Sequence, residues 1–302
     1  MSKFINPFTD IGFKRIFGQE ISKPLLLHFL NNLLLGERCI TDLQLLDKEQ
    51  TAEYDGGKSP VYDVYCETDS GEKIIVEMQN RDQPNFKERT LFYASEAITR
   101  QGERGTEWNY QVNAVYLVAF VNFFLDDHDK DFRIDVGLTD LKSGKLFSDK
   151  LRLIYLQLPC FIKEADDCEN DFERWIYVLK NMDTLNRMPW VAQNAVFQRL
   201  SEIAEVSAMT KEERIKYDHA LKVYRDTLNA YNGAVQKGRA EGLAEGMEKG
   251  MEKGMEKGME KGKAEGELSK AMSIARKLKA KGFDMADIVD TTGLTEEQIN
   301  AL

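Results

Sequence analysis

The chain has 302 residues, 42% of them hydrophobic, and a formal net charge of −10. That is enough apolar material for a real core in one large domain or two smaller ones. No apolar stretch reaches the length of a membrane span, and the acidic balance argues against a broadly basic nucleic-acid-binding surface. Cys39, Cys66, Cys160 and Cys168 show no Cys-x-x-Cys spacing, and the N-terminus lacks a secretory pattern. Reduced thiols in the cytoplasm are therefore expected. His28, His128 and His219 offer little for imidazole metal chemistry.

Residues 9–35 place Ile11, Phe13, Ile16 and Phe17, then Leu25 to Leu35, at helical spacing, and Pro24 opens a second helix. Residues 40–46 predict a strand. After a Gly56-Gly57 loop come two β-rich runs, Val61 to Cys66 and Lys73 to Gln79. The polar, Gly-containing link between them predicts a hairpin. A helix is expected over 85–104, strands over 112–124, 132–138 and 151–158, and helices over 172–185, 190–207 and 211–231. This order predicts an α/β core with a helical C-terminal part.

Glycine then recurs at every fourth position from Gly238 to Gly266, with four copies of Gly-Met-Glu-Lys inside. Each interior Gly costs about 1 kcal/mol relative to Ala in a helix. Residues 233–267 are therefore expected to be a charged, partly helical spacer, or else a helical dimerisation arm. Residues 268–302 predict a small helical module: a helix ended by Gly282, then two short helices around Gly293, with Thr295 as a cap. The last helix has no basic residue, so a protein contact is expected there rather than DNA reading. Met247, Met251, Met255 and Met259 could each start a short internal product carrying this tail alone.

The chemistry concentrates at the hairpin. Side chains alternate along strands, so Asp63 shares a face with Tyr65, and Glu77 shares one with Ile75 and Gln79. Paired in register, Asp63, Glu77 and Gln79 converge. Two adjoining carboxylates repel unless a cation lies between them, and oxygen ligands favour Mg²⁺, with Mn²⁺ as a substitute. Glu77 follows Ile74-Ile75-Val76, where an unpaired charge is costly. Plainer readings exist. Asp63 could meet Lys73 across the hairpin. Lys14 and Arg15 could be solvated, and Arg89 and Tyr93 could pack as an i,i+4 pair. A basic footprint could use Lys14, Arg15, Arg81, Lys87, Arg89, Arg100 and Arg104, diluted by Asp82, Glu88, Glu96 and Glu103. The run Asp126 to Asp131 reads as a polar turn, and Gln101 is a weaker site candidate.

Asp63 followed by the strand Glu77-Met78-Gln79 resembles the core of the PD-(D/E)XK nuclease superfamily, with Gln79 where most members have Lys. The stretch Asn6 to Gly18 and the segment Arg89-Thr90-Leu91-Phe92-Tyr93-Ala94-Ser95 are similar to one branch of it, the Rpn family of recombination-promoting nucleases, often labelled transposases. The resemblance covers most of residues 1–230 and extends to the tail from about 265. It implies a restriction-endonuclease-like α/β core over 1–232, with a mixed sheet flanked by helices. It also implies a metal-dependent DNA endonuclease of low sequence specificity, linked to recombination, DNA mobility or defence, and acting as a homodimer. Asp63, Glu77 and the Met78 carbonyl would hold the metal, and Gln79 would orient the attacking water. Asp10, in competition with Glu20, would add a carboxylate, and Lys14, Arg89 and Tyr93 would contact DNA. The rival expectation is a catalytically degenerate DNA-binding or protein-interaction module acting through its C-terminal arm.

Overall fold

The computed structural model describes residues 2–49, 60–102, 108–126 and 130–302. The chain divides into two compact units, Met1–Asp226 and Thr227–Leu302. Gly56, Gly57, Glu103, Arg104, Asp127, His128 and Asp129 lie outside the described residues.

In the first unit, Thr9 caps α1 (Asp10–Phe17) by accepting a hydrogen bond from the Gly12 N–H. Gly12 is required there, because a Cβ would collide with the Asn6 carbonyl and sit 2.7 Å from the Thr9 hydroxyl. A short turn, Glu20–Ser22, leads into α2 (Lys23–Leu33), with Pro24 in its first turn. The strands are β1 (Leu43–Leu45), β2 (Val64–Thr68), β3 (Lys73–Gln79), β4 (Val115–Val121), β5 (Arg133–Thr139) and β6 (Leu146–Gln157). They form one mixed sheet in the order β1-β2-β3-β4-β6-β5. β3, β4 and β6 run parallel, and the outer pairings are antiparallel.

Alternation along the strands builds two cores. Ile74, Val76, Val118, Phe120, Ile154 and Leu156 face α1, α2, α4 (Asp171–Asn181) and α5 (Ala195–Ala204), around Phe17, Phe29 and Trp175. Ile75, Leu117, Ala119, Leu153 and Tyr155 face α3 (Phe86–Thr99). Parallel strands covered on both faces explain the continuous apolar run of β4. The result is a restriction-endonuclease-like α/β fold.

Four details differ from the sequence expectations. β2 begins at Val64, so Asp63 lies in the bend before the strand, where Val61 bridges to Glu49. β6 begins at Leu146, extending its hairpin with β5 well before residue 151. The helix expected from Trp190 starts at Ala195, because Trp190 has φ +58° and the Asn194 side chain caps the helix by accepting from the Val196 N–H. Finally, α6 runs from Lys211 to Ala280, so the Gly repeat is helical throughout. A helix already nucleated upstream extends without a second initiation cost, and pairs such as Glu245–Lys249 support it.

In the second unit, the end of α6 packs with α7 (Met285–Thr292) and α8 (Glu296–Asn300) around Ala275, Ile288, Leu294 and Ile299. Gly282 and Gly293, at φ +78° and +68°, end the helices before them. Thr295 and Gln298 form a reciprocal cap at α8. Among the described residues, no helix is long and apolar enough to cross a membrane.

Two glycine substitutions should act in opposite directions. Gly12→Ala should lower stability by about 1–3 kcal/mol through overpacking. Gly250→Ala, where a Cβ meets nothing, should raise helix stability by about 1 kcal/mol. Thermal melts followed by circular dichroism of the full chain report both.

Candidate active site

The carboxyl end of β3 carries the site. β2 and β3 pair from Val64–Val76 to Glu67–Lys73, and Asp63 and Glu77 come next in this register. The Met78 N–H donates to Asp63 Oδ2 at 2.9 Å, and the Asp63 N–H reaches Glu77 Oε1 at 3.3 Å. The two carboxyl groups are thus laced together through backbone. Glu77 is only 8% exposed. The Met78 carbonyl faces the same side as its N–H, beyond the last β2 pairing.

The surrounding charges are arranged unevenly. Lys14 pairs with Asp10 one turn earlier on α1, and Asp63 also feels its charge. Burial works against protonated Lys14, but its hydrogen bond and Coulomb attraction to Asp10, together with Asp63, hold its pKa above the ordinary value. Burial raises the Asp63 pKa, against the pull of the Met78 N–H and Lys14. Burial, then Asp63, push the Glu77 pKa up to about 8, although Arg89 and Lys14 oppose the rise. Arg89, one turn into α3, donates to Gln79 Oε1 at 2.9 Å and to Gln83 Oε1 at 2.6 Å. Its guanidinium lies 5.2 Å from the Phe86 ring centre and 6.0 Å from that of Tyr93. Asn85, in a left-handed conformation at φ +61°, turns the chain into this helix.

The structure therefore brings Asp63, Glu77, Gln79, Arg89 and Tyr93 to one strand end, with Asp10 and Lys14 on α1 close enough for their charges to reach Asp63. Other candidates are engaged elsewhere. Lys73 pairs with Glu67, so it does not partner Asp63. Arg15 binds Glu213 and the Ile203 carbonyl, tying α1 to α5 and the root of α6. Lys87 pairs with Asp126, and Arg100 with Glu96. Gln101 donates to the Ala97 and Asn113 carbonyls at the far end of α3. Glu20 is exposed in its turn.

Sequence reasoning missed three neighbours. Lys48 lowers the Asp63 pKa. Gln83 holds Arg89. Asn80 donates to the Phe8 carbonyl at 2.5 Å, tying β3 to the segment before α1. Its position directly after Gln79 was the only available signal, and loop residues such as Lys48 and Gln83 carried none.

Two carboxyl groups laced together near the end of a strand in this α/β fold fit the class of PD-(D/E)XK nuclease-type sites. Residues 7–234 match the model described as PD-(D/E)XK nuclease family transposase, and the chain belongs to that family. Neither a curated protein nor a solved structure matches it. Family membership gives nuclease- or transposase-type chemistry on DNA, generally with divalent metal ions.

The donor set fits such an ion. Among the described residues, no three His, Cys, Asp or Glu side chains gather as a metal cluster. Two carboxylates and a carbonyl match the needs of Mg²⁺, which keeps several of its waters. The buried Glu77 also needs a positive charge that Lys14 and Arg89, bound to Asp10 and to two glutamines, supply only in part.

The metal-free protein should lose stability as pH rises. The Glu77 pKa moves from 4.5 to about 8 on folding. Between those values the folded protein holds a proton that the unfolded chain has released, so stability falls with pH. Glu77→Gln should flatten most of this slope and stabilise the protein at pH 8 by on the order of 2 kcal/mol. Urea unfolding at pH 5 and pH 8 in chelator measures it.

Proposed function

We propose that this protein is a Mg²⁺-dependent DNA endonuclease of low sequence specificity, with Mn²⁺ able to substitute. It would serve recombination, DNA mobility or defence against foreign DNA, in the cytoplasm. One observation carries the reading: a buried glutamate on a central strand is tied through backbone to a second carboxyl group near the end of that strand. Asp63, Glu77 and the Met78 carbonyl are the proposed metal ligands. A divalent ion bound there would activate water and polarise the phosphate.

The chain's own groups do the rest. Lys14, braced by Asp10, places positive charge beside Asp63. Asp10 is the additional carboxylate of the catalytic set. Lys14, Arg89 and Tyr93 face the DNA backbone, and Gln79, the third position of the proposed catalytic motif, acts through its hydrogen bond with Arg89. A homodimer with two sites related by a two-fold axis would cut both strands. An internally started product beginning at one of the exposed methionines of the repeat would carry the tail alone and compete for dimer contacts.

Plasmid nicking should require Mg²⁺ and fall by about 10³-fold or more in Asp63→Ala and Glu77→Ala, with thermal melts showing both variants folded. Calorimetry should show tighter Mg²⁺ binding at pH 8 than at pH 6, because the ligands must first lose their protons. Undiminished cutting by both variants would sink the assignment.

A further inference from the structure

Both ends of the Gln79 amide are engaged. Its Oε1 accepts from Arg89 Nη2 at 2.9 Å, and its Nε2 donates to the Arg81 carbonyl at 3.0 Å. A side chain tied in this way is poorly placed to orient water. It is well placed to hold Arg89, which Gln83 grips through the other terminal nitrogen at 2.6 Å.

Arg89 differs from four of the cations around it. Lys14, Arg15, Lys87 and Arg100 all close ion pairs with carboxylates. Arg89 is half-buried, and its hydrogen bonds go to two neutral amides. Among the described residues, no carboxylate pairs with it. Its guanidinium lies over the Phe86 ring and beside that of Tyr93, and its charge reaches Glu77. A guanidinium held by neutral amides presents a planar donor array with no carboxylate across it, which suits phosphate oxygens. Its hydrogen bond to Gln79, two residues past Glu77 on β3, sets it beside the candidate metal ligands rather than along the flanking duplex.

We propose that Arg89 is the catalytic cation of the site, contacting the non-bridging oxygens of the phosphate being cut, and that Gln79 and Gln83 are positioning residues that aim it. The assignment rests on the endonuclease reading and deepens it. The charge that a lysine at position 79 would supply comes from α3 instead. In the step, a bond forms between the water oxygen and phosphorus, and the bond from phosphorus to the leaving sugar oxygen breaks. The attacking water loses its proton to solvent, and the leaving oxygen takes one from solvent. Arg89 keeps its protons throughout and offsets the negative charge that builds on the non-bridging oxygens.

Steady-state cleavage of a duplex oligonucleotide in Mg²⁺, paired with anisotropy measurements of DNA affinity in chelator, tests this. Arg89→Met keeps the packed stem and removes the charge. It should lower kcat by about 10²-fold or more while KM and affinity change by less than about fivefold. Adding Gln79→Lys to that variant should restore kcat by about tenfold or more, because the new ammonium takes over the lost charge. If Arg89→Met melts early, Arg89→Lys decides: a reduced kcat at unchanged affinity supports the assignment. Either variant with wild-type kcat and weakened affinity would make Arg89 a flanking contact and overturn it. A double variant no faster than Arg89→Met would also overturn it. A wild-type protein that leaves DNA intact would overturn the endonuclease reading, and this assignment with it.

Discussion

Glu77 is a carboxyl group in a place that disfavours its charge. It sits on β3, covered by helices on both faces of the sheet, and its nearest acidic neighbour is tied to it through backbone. Removing a carboxylate from water is costly, and a second one alongside adds repulsion. β3 ends two residues beyond it, at Gln79, and its pairing with β2 has already stopped at Val76. Glu77 can be relieved by a proton or by a cation, and the donor geometry favours an oxygen-loving divalent ion. Most of the site follows from this demand for positive charge.

The two layers answer it differently. From one side, α1 brings Lys14, already shared with Asp10, so its net contribution is small. From the other, α3 brings Arg89 on two amides, with its charge uncompensated by any described carboxylate. Successive residues on a helix diverge by about 100°, and the chain uses that divergence. The Lys14 charge reaches Asp63, while Arg15 turns away to hold Glu213 and the Ile203 carbonyl. Adjacent basic residues with similar sequence credentials therefore have unrelated work.

The legible parts of the molecule were those governed by local rules. Runs of β-rich apolar residues marked β3 and β4, Pro24 marked the opening of α2, and Thr295 marked the cap of α8. The meeting of Asp63 and Glu77 followed from hairpin register, although Asp63 proved to lie just ahead of its strand. What could not be read depended on loops and distance. The double engagement of Gln79 requires the path of residues 80–89, and Lys48 reaches Asp63 from a separate connection. The continuity of α6 went against the local penalty for glycine, because helix propagation is cooperative and propensity scales count residues singly.

Residues 4–9 are woven into parts of the chain made about two hundred residues later. The Ile5 N–H donates to the Ala204 carbonyl, the Asn6 N–H to the Tyr217 hydroxyl, and the Asn6 amide to Asp183, while Phe4 and Ile5 are fully buried. Asn6 in turn seats Phe8 and Thr9 at the head of α1. A nascent chain that has emerged only as far as β3 already carries both acidic groups, but it lacks the surfaces that lock α1 beside them. Long-range closure of this kind is slow and comes late in folding. On the ribosome, the candidate centre thus lacks its full set of supports until synthesis has passed Tyr217, the last of these anchors.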